Sequence, residues 1–200
     1  MIDERADFSI KPTLTGSAVV LRPFIMDQDA GALREMLQDL EALRLTGSLH
    51  SLADVPGWDE AAETGFREWY SSRNQQPDRL DLAVVDKASG QCVGEVVLNE
   101  WNEANRSCNF RTMLGSGGRD RGLGTEAARL IIGYGFEHLG LHRISLEVYA
   151  FNPRARRVYD KVGFVTEGVL RDELRWEDQW IDATAMSILA AEWNRHRGRP

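Results

Sequence analysis

The sequence predicts an α+β fold in which helices flank one central mixed sheet. Three observations carry this. From about residue 80 to residue 114, β-rich runs follow one another across short polar turns, the spacing of antiparallel hairpins. After residue 114 the order becomes strand, helix, strand, which requires one parallel crossover. No repeat, low-complexity tract or Gly/Ser/Pro-rich linker divides the 200 residues, so they read as one domain over 1–200 with its core at about 14–193.

The elements follow in order. Residues 19–24 form a strand closed by Pro23, and Asp27 is set to cap a helix with the face Leu33, Met36, Leu37 and Leu40. A loop with Gly47 and Gly57 leads to an amphipathic helix over about 58–72 that carries Phe66, Trp69 and Tyr70. Strands over 80–85 and 92–99 are joined by a turn of Asp86, Ser89 and Gly90, and a further strand occupies 107–114. Leu123, Ala127, Leu130, Ile131 and Tyr134 mark one face of a helix ending near Gly140. A β-rich run covers 143–149. Asn152 then caps a helix with Pro153 at its first position, the face Ala155, Val158, Tyr159 and Val162, and Gly163 as its stop. Residues 164–170 and 181–189 close the sheet.

Composition bounds the function. Hydrophobic residues at 42% and charged residues at 28% are globular values. A chain of this length buries roughly 70% of its unfolded surface and needs no disulfide or metal staple. The net charge of −7 argues against nucleic acid, because phosphate binding needs a basic face, and it favours cationic partners. No apolar run reaches the roughly 20 residues of a membrane span. The first ten residues are charged and hold no apolar signal core. Cys92 and Cys108 form neither a metal spacing nor a disulfide framework, so no metal site is expected and the cytoplasm is the expected compartment.

The stretch Gly117-Gly118-Arg119-Asp120-Arg121-Gly122-Leu123-Gly124-Thr125-Glu126 lies between a strand and a helix. Backbone N–H groups at such a helix start can meet an anion, and glycine lets a phosphate approach them. A plain chain turn explains the same glycines. A P-loop fails because Leu123-Gly124 follow Gly122 where Lys-Ser/Thr belongs. A dinucleotide fingerprint fits formally as Gly122-x-Gly124-x-x-Ala127, with Glu147 near the position of the ribose acid. The third pattern is Arg119-x-x-Gly122-x-Gly124.

That third pattern resembles the pyrophosphate loop of the GNAT acyl-CoA N-acetyltransferases. Asn152-Pro-Arg-Ala155-Arg-Arg-Val-Tyr159-Asp-Lys161-Val-Gly163-Phe164 is similar to the Asn-x-x-Ser/Ala-x-x-x-Tyr…Lys-x-Gly-Phe segment of the same superfamily. Val20-Leu21-Arg22-Pro23, Thr125-Glu126-Ala127, Glu167-Gly168, Trp180-Ile181-Asp182 and Leu189…Glu192-Trp193 look like the RimJ/RimL branch, the ribosomal-protein N-terminal acetyltransferases and their relatives. Asn109-Phe110-Arg111-Thr112 departs from that branch, where Ile-Gly-Tyr is common. In an acidic chain, Arg119, Arg121, Arg154, Arg156 and Arg157 all fall in the two matching segments, and at least one arginine of the second must face solvent.

The resemblance implies the GNAT fold and acetyl-CoA as co-substrate. It implies a cofactor site of Met113, Leu114, Arg119, Asp120, Arg121, Gly122, Leu123, Gly124, Thr125, Asn152 and Arg157. The reaction it implies is direct attack of a primary amine on the thioester, with Met113 or Leu114 N–H near the oxyanion and Tyr159 as proton donor to the sulfur. The acceptor is a peptide N-terminus or a small cationic amine, and a homodimer is possible. Periodicity alone makes Tyr159 a core aromatic and Asn152 only a cap. Glu95, inside a strand, and Glu100, at its end, are the candidate bases. Strand alternation sets Glu95 opposite Gly94, Val96 and Leu98 without saying which face is the cleft. Trp58, Trp69, Trp101, Trp176 and Trp180 fall in segments expected on the acceptor side, most of them as core. Two readings of other classes stand beside this one: an NAD(P) oxidoreductase built on Gly122-x-Gly124-x-x-Ala127, and a catalytically silent CoA-binding sensor.

Overall fold

A computed structural model describes residues 6–55 and 57–196, so part of the charged start read from the sequence lies outside the described residues. The chain begins with β1 (Leu14–Thr15) and β2 (Val19–Arg22), then α1 (Met26–Gln38), α2 (Leu40–Leu45) and α3 (Glu60–Arg73). β3 (Leu80–Asp86), β4 (Cys92–Asn102) and β5 (Ser107–Leu114) form the antiparallel meander. α4 (Leu123–Glu137) crosses over to β6 (Arg143–Tyr149), and α5 (Pro153–Val162) leads to the closing hairpin of β7 (Val165–Trp176) and β8 (Gln179–Leu189). α6 (Ala190–His196) follows. The described strands form one sheet in the order β1-β2-β3-β4-β5-β6-β8-β7.

One neighbouring pair, β5 and β6, is parallel, and it is short. Only Ser107↔Arg143, Cys108↔Ile144 and Asn109↔Ser145 are paired. Beyond them β5 stays bonded to β4 and β6 stays bonded to β8, so the sheet splits into two halves. The split places Phe110–Leu114 on one wall of an opening and the end of β6 on the other.

Apolar side chains cover both faces. Val96, Leu98, Ile131, Ile132, Ile144 and Met186 form the core under α4. Leu33, Met36, Phe66, Tyr70 and Met113 form a second cluster under α1 and α3. Among the described residues no helix is long and apolar enough to cross a membrane.

Several elements differ from their predicted form. Asp27 does not cap α1: Ile25 holds that position without a side-chain bond, and Asp29 reaches back to the Ile25 N–H at 2.8 Å while pairing with Arg22. The predicted face through Leu40 is broken, because Asp39 leaves the helical conformation and caps a new helix through Glu41 and Ala42 N–H. Leu40 is exposed. The closing hairpin is longer than predicted, since β7 is an edge strand whose first nine residues are almost all exposed and so carry no alternation to read.

Candidate active site

The opening in the sheet widens into a cleft of about 400 Å³ bounded by β5, β6, α2, α5 and the start of α4. Gly122 sets its floor with φ +79°, in the left-handed region where an ordinary side chain is strained. The first bonds of α4 run from the Thr125 and Glu126 N–H groups to the Gly122 carbonyl, so the N–H groups of Leu123 and Gly124 precede the helical ladder at this end of the cleft. Gly122, Gly124 and Thr125 line this end, as do Asp120 and Asn152. A Cβ on Gly124 would sit 2.8 Å from the Leu114 side chain, so that glycine serves the contact of α4 with β5.

Asn152 caps α5 as predicted, accepting from Ala155 N–H at 3.1 Å, and its amide also reaches the Leu45 carbonyl on α2. The arginines divide. Arg157 and Lys161 line the cleft with no ion-pair partner among the described residues, and Arg154 lines it while paired with Asp120 and Glu41. Arg156 turns toward Thr166.

Three residues expected at the cofactor stand otherwise. Arg119 borders the cleft, but its guanidinium is held by Asp39 and Glu41, both at 2.6 Å, and by the Leu114 carbonyl at 2.9 Å. Arg121 points out of the cleft to Asp86 at 2.9 Å. The Leu123 side chain is buried in the core under α4. Each departure has the same origin: a partner far away in sequence claims the side chain.

Strand alternation settles which backbone groups face the opening. Gly115 N–H donates to the Val93 carbonyl across β4, so Met113 also turns its N–H to β4 while Leu114 and Thr112 turn theirs to the split. The Leu114 carbonyl, bonded by Arg119, agrees with that direction. Met113 lines the cleft by its side chain.

Tyr159 is a core aromatic, as its helical period predicts, and it also reaches the cleft. Its ring packs with Phe110 and Phe164 at 6.0 and 5.9 Å, and it borders the cleft. Burial pushes its phenol up to about 12, so the hydroxyl stays protonated and is a donor at neutral pH.

A second cleft of about 490 Å³ lies on the α3 side of the sheet and meets the first at Thr46, Arg111, Thr112 and Met113, which line both. Glu95 lines it, which answers the question of faces. Burial lifts Glu95 to about 7, against the opposing hydrogen bond from the Tyr70 hydroxyl. Asp81 lies on the same wall, but Arg79 closes on it with two contacts of 2.7 Å. Glu100 is a correction: it sits exposed on the distorted end of β4 with φ +54°, and neither cleft includes it.

Of the five tryptophans expected near the acceptor, Trp58 and Trp69 line this second cleft. Trp101 packs on Phe8, Trp176 is buried against Leu43 and Leu49, and Trp180 is exposed. Arg111 and Thr112 at the junction, and Phe110, Lys161 and Tyr149 in the first cleft, were not singled out as site residues from sequence. The departure at 109–112 from the branch pattern was the available signal for the first three.

The split sheet defines an α+β protein of the kind that opens at a single parallel strand pair. The profile of the acetyltransferase (GNAT) domain matches residues 18–165, and the chain belongs to that family. Spermidine N(1)-acetyltransferase of Escherichia coli strain K12 is 32% identical over 116 residues, 58% of this chain and 62% of that protein, so the match spans less than two thirds of the relative. The spermidine N-acetyltransferase of Vibrio cholerae, solved with CoA and spermine, superposes with a TM-score of 0.77 at 23% identity, covering 90% of this chain and 99% of the other. RimJ of Mycobacterium smegmatis, solved with CoA-disulfide, gives 0.74 at 24% identity over 92% and 90%. At these identities the two structures speak for the fold.

Proposed function

We propose that this protein transfers the acetyl group of acetyl-CoA to a primary amine by direct attack, as an N-acetyltransferase on the scaffold shared with the RimJ/RimL branch. The observation that carries the reading is the meeting of two clefts at Arg111, Thr112 and Met113, one rich in phosphate donors and the other holding Glu95. The donor set fits coenzyme A: a glycine-opened helix start, Arg157, Lys161 and Arg154 suit a diphosphate and a ribose phosphate. Acetyl-CoA supplies an activated acetyl thioester.

The chain's own groups do the rest. Glu95, near 7, accepts a proton from the amine directly or through one water. The main-chain N–H groups of Thr112 and Leu114, turned to the split, are placed to donate to an oxyanion. Tyr159 holds its proton at the inner wall and donates a hydrogen bond to the departing sulfur; a phenol at about 12 facing a thiol at ~8.5 gives up that proton only at the end of the reaction.

The nicotinamide reading loses its support in the geometry. A dinucleotide fingerprint belongs to a short loop directly off a strand of a multi-strand parallel sheet. Here a 3₁₀ turn at Ser116–Gly118 intervenes, and the parallel pairing covers three residue pairs. A thermal-shift titration with acetyl-CoA, CoA and NADH tests the proposal. Ligand at 100 times its dissociation constant adds about 2.7 kcal/mol, a rise of roughly 5–10 °C for a chain of this size. Both CoA species should give it and NADH should not; no shift with CoA overturns the reading. CoA binding without transfer to any amine leaves the sensor.

A further inference from the structure

The acceptor cleft carries an electrostatic pattern that narrows its substrate, on the premise that the proposed acetyl transfer holds. Glu95 and Arg111 stand on neighbouring strands and on one face. Their register partners are Met113 and Val97, so the two are diagonal cross-strand neighbours, a relation that sets Cα atoms about 7–8 Å apart. Both line the same cleft, and neither has an ion-pair partner among the described residues. The second acid there, Asp81, is closed off by Arg79.

Three guanidiniums act on Glu95 beside one further acid: Arg111 and Arg79 from the cleft wall and Arg73 from beneath Trp69, while Asp81, the strongest of the charges on Glu95, is itself held by Arg79. A long polycation brought to Glu95 would meet these guanidiniums, and the described residues lining the cleft hold no acid for its further ammoniums besides the Arg79-bound Asp81. The opposite wall is aromatic. Trp58, Phe66 and Tyr70 form an edge-on series with centroids 5.4 and 5.2 Å apart, and the Glu63 carboxylate fixes the Trp58 indole at 2.9 Å.

We propose that the acceptor is a small amine bearing a carboxylate beside its amino group and an apolar or aromatic body, as in an apolar α-amino acid. Glu95 receives the amine, Arg111 holds the carboxylate, and the body packs on Trp58 and Trp69. An Arg–carboxylate pair supplies both strength and orientation at the point where the two clefts meet. The balance is simple: the amide C–N bond forms as the thioester C–S bond breaks, the ammonium gives up two protons, by way of Glu95 to solvent, and the sulfur leaves as the thiol with one proton from Tyr159, which solvent then restores.

The test compares thiol release with L-phenylalanine, L-tryptophan, L-leucine and L-methionine against their amides, spermidine and a peptide with N-terminal Phe. The best amino acid should exceed its own amide in kcat/KM by 10-fold or more and spermidine by about 100-fold. Arg111→Gln should raise KM for that amino acid at least 10-fold with little change in kcat, and leave the KM of its amide alone. An amide as good as its acid, or a preference for spermidine or the peptide, overturns the inference while leaving acetyl transfer intact. Calorimetric binding of acetyl-CoA, measured beside it, separates these outcomes: loss of that binding in the wild type removes the premise and the inference together.

Discussion

Arg119 Nη2 lies 2.6 Å from Asp39 Oδ2, and the other oxygen of the same carboxylate caps α2 through the N–H groups of Glu41 and Ala42. One acid thus starts a helix and anchors an arginine of the glycine-rich loop 80 residues later. The arginine is only 10% exposed and also holds the Leu114 carbonyl, so it is a strut between β5 and α2. Arg119→Gln should cost about 1–3 kcal/mol of stability and weaken acetyl-CoA by less than about 3-fold. Arg157→Gln, at an exposed cleft residue without an ion pair, should do the reverse: no stability change, and an affinity loss of about 10-fold, the worth of one charge-assisted hydrogen bond. Denaturant unfolding beside calorimetric titration reads both.

Glu95 carries opposite signs for activity and stability. As a base it must be ionised, so kcat/KM should rise with pH along a limb centred near 7. As a buried acid its native pKa exceeds the unfolded value, so the native state binds the extra proton between pH about 4.5 and 7 and stability falls with pH across that window. Glu95→Gln should lower kcat by about 10²–10³-fold and remove the limb. It should also stabilise the protein at pH 8 by up to about 3 kcal/mol relative to wild type. A variant less stable at pH 8 would contradict the burial account.

The sequence carried this site unevenly, and the difference is one of range. The α4 and α5 helices were legible because their signals are local: a 3.6-residue apolar period, the Asn152-Pro153 start and the Gly163 stop. The start of α1 was misread by two residues because Asp27 and Asp29 both suit a first turn, and Arg22 and the Ile25 N–H select Asp29. Period alone ran through Asp39, whose side chain caps α2 and is held by Arg119 far downstream. Glu95 and Arg111 were unreadable as a pair, since only the β4–β5 register sets them on one face.

The glycines of the loop separate two costs. Gly122 has open space where a Cβ would go but φ +79°, so Gly122→Ala pays only backbone strain of about 1 kcal/mol, a fall of roughly 2–4 °C in Tm. Its larger effect should be on acetyl-CoA, about 10-fold in affinity, because a methyl would hold a phosphate off the helix start. Gly118→Ala should destabilise more, since its Cβ would lie 2.9 Å from the Val93 carbonyl, and backbone cannot move aside as a side-chain tip can. Thermal melts with and without acetyl-CoA distinguish the two.

Tyr159→Phe asks whether the hydroxyl matters apart from the ring. The ring sits between Phe110 and Phe164, and phenylalanine keeps that packing, so the variant should melt within about 2 °C of wild type and bind acetyl-CoA unchanged. The phenol of the wild type, held at about 12 by burial, stays protonated throughout the neutral range, so its contribution cannot appear as a pH limb there. It should appear as a fall in kcat of about 10–100-fold at all pH values, the range for a single positioned donor to the leaving group. The deficit should shrink with an acetyl donor whose thiol is more acidic, since a better leaving group needs less help from the hydroxyl. An unchanged kcat with CoA as leaving group would reduce Tyr159 to a core aromatic, the role its helical period alone assigned it.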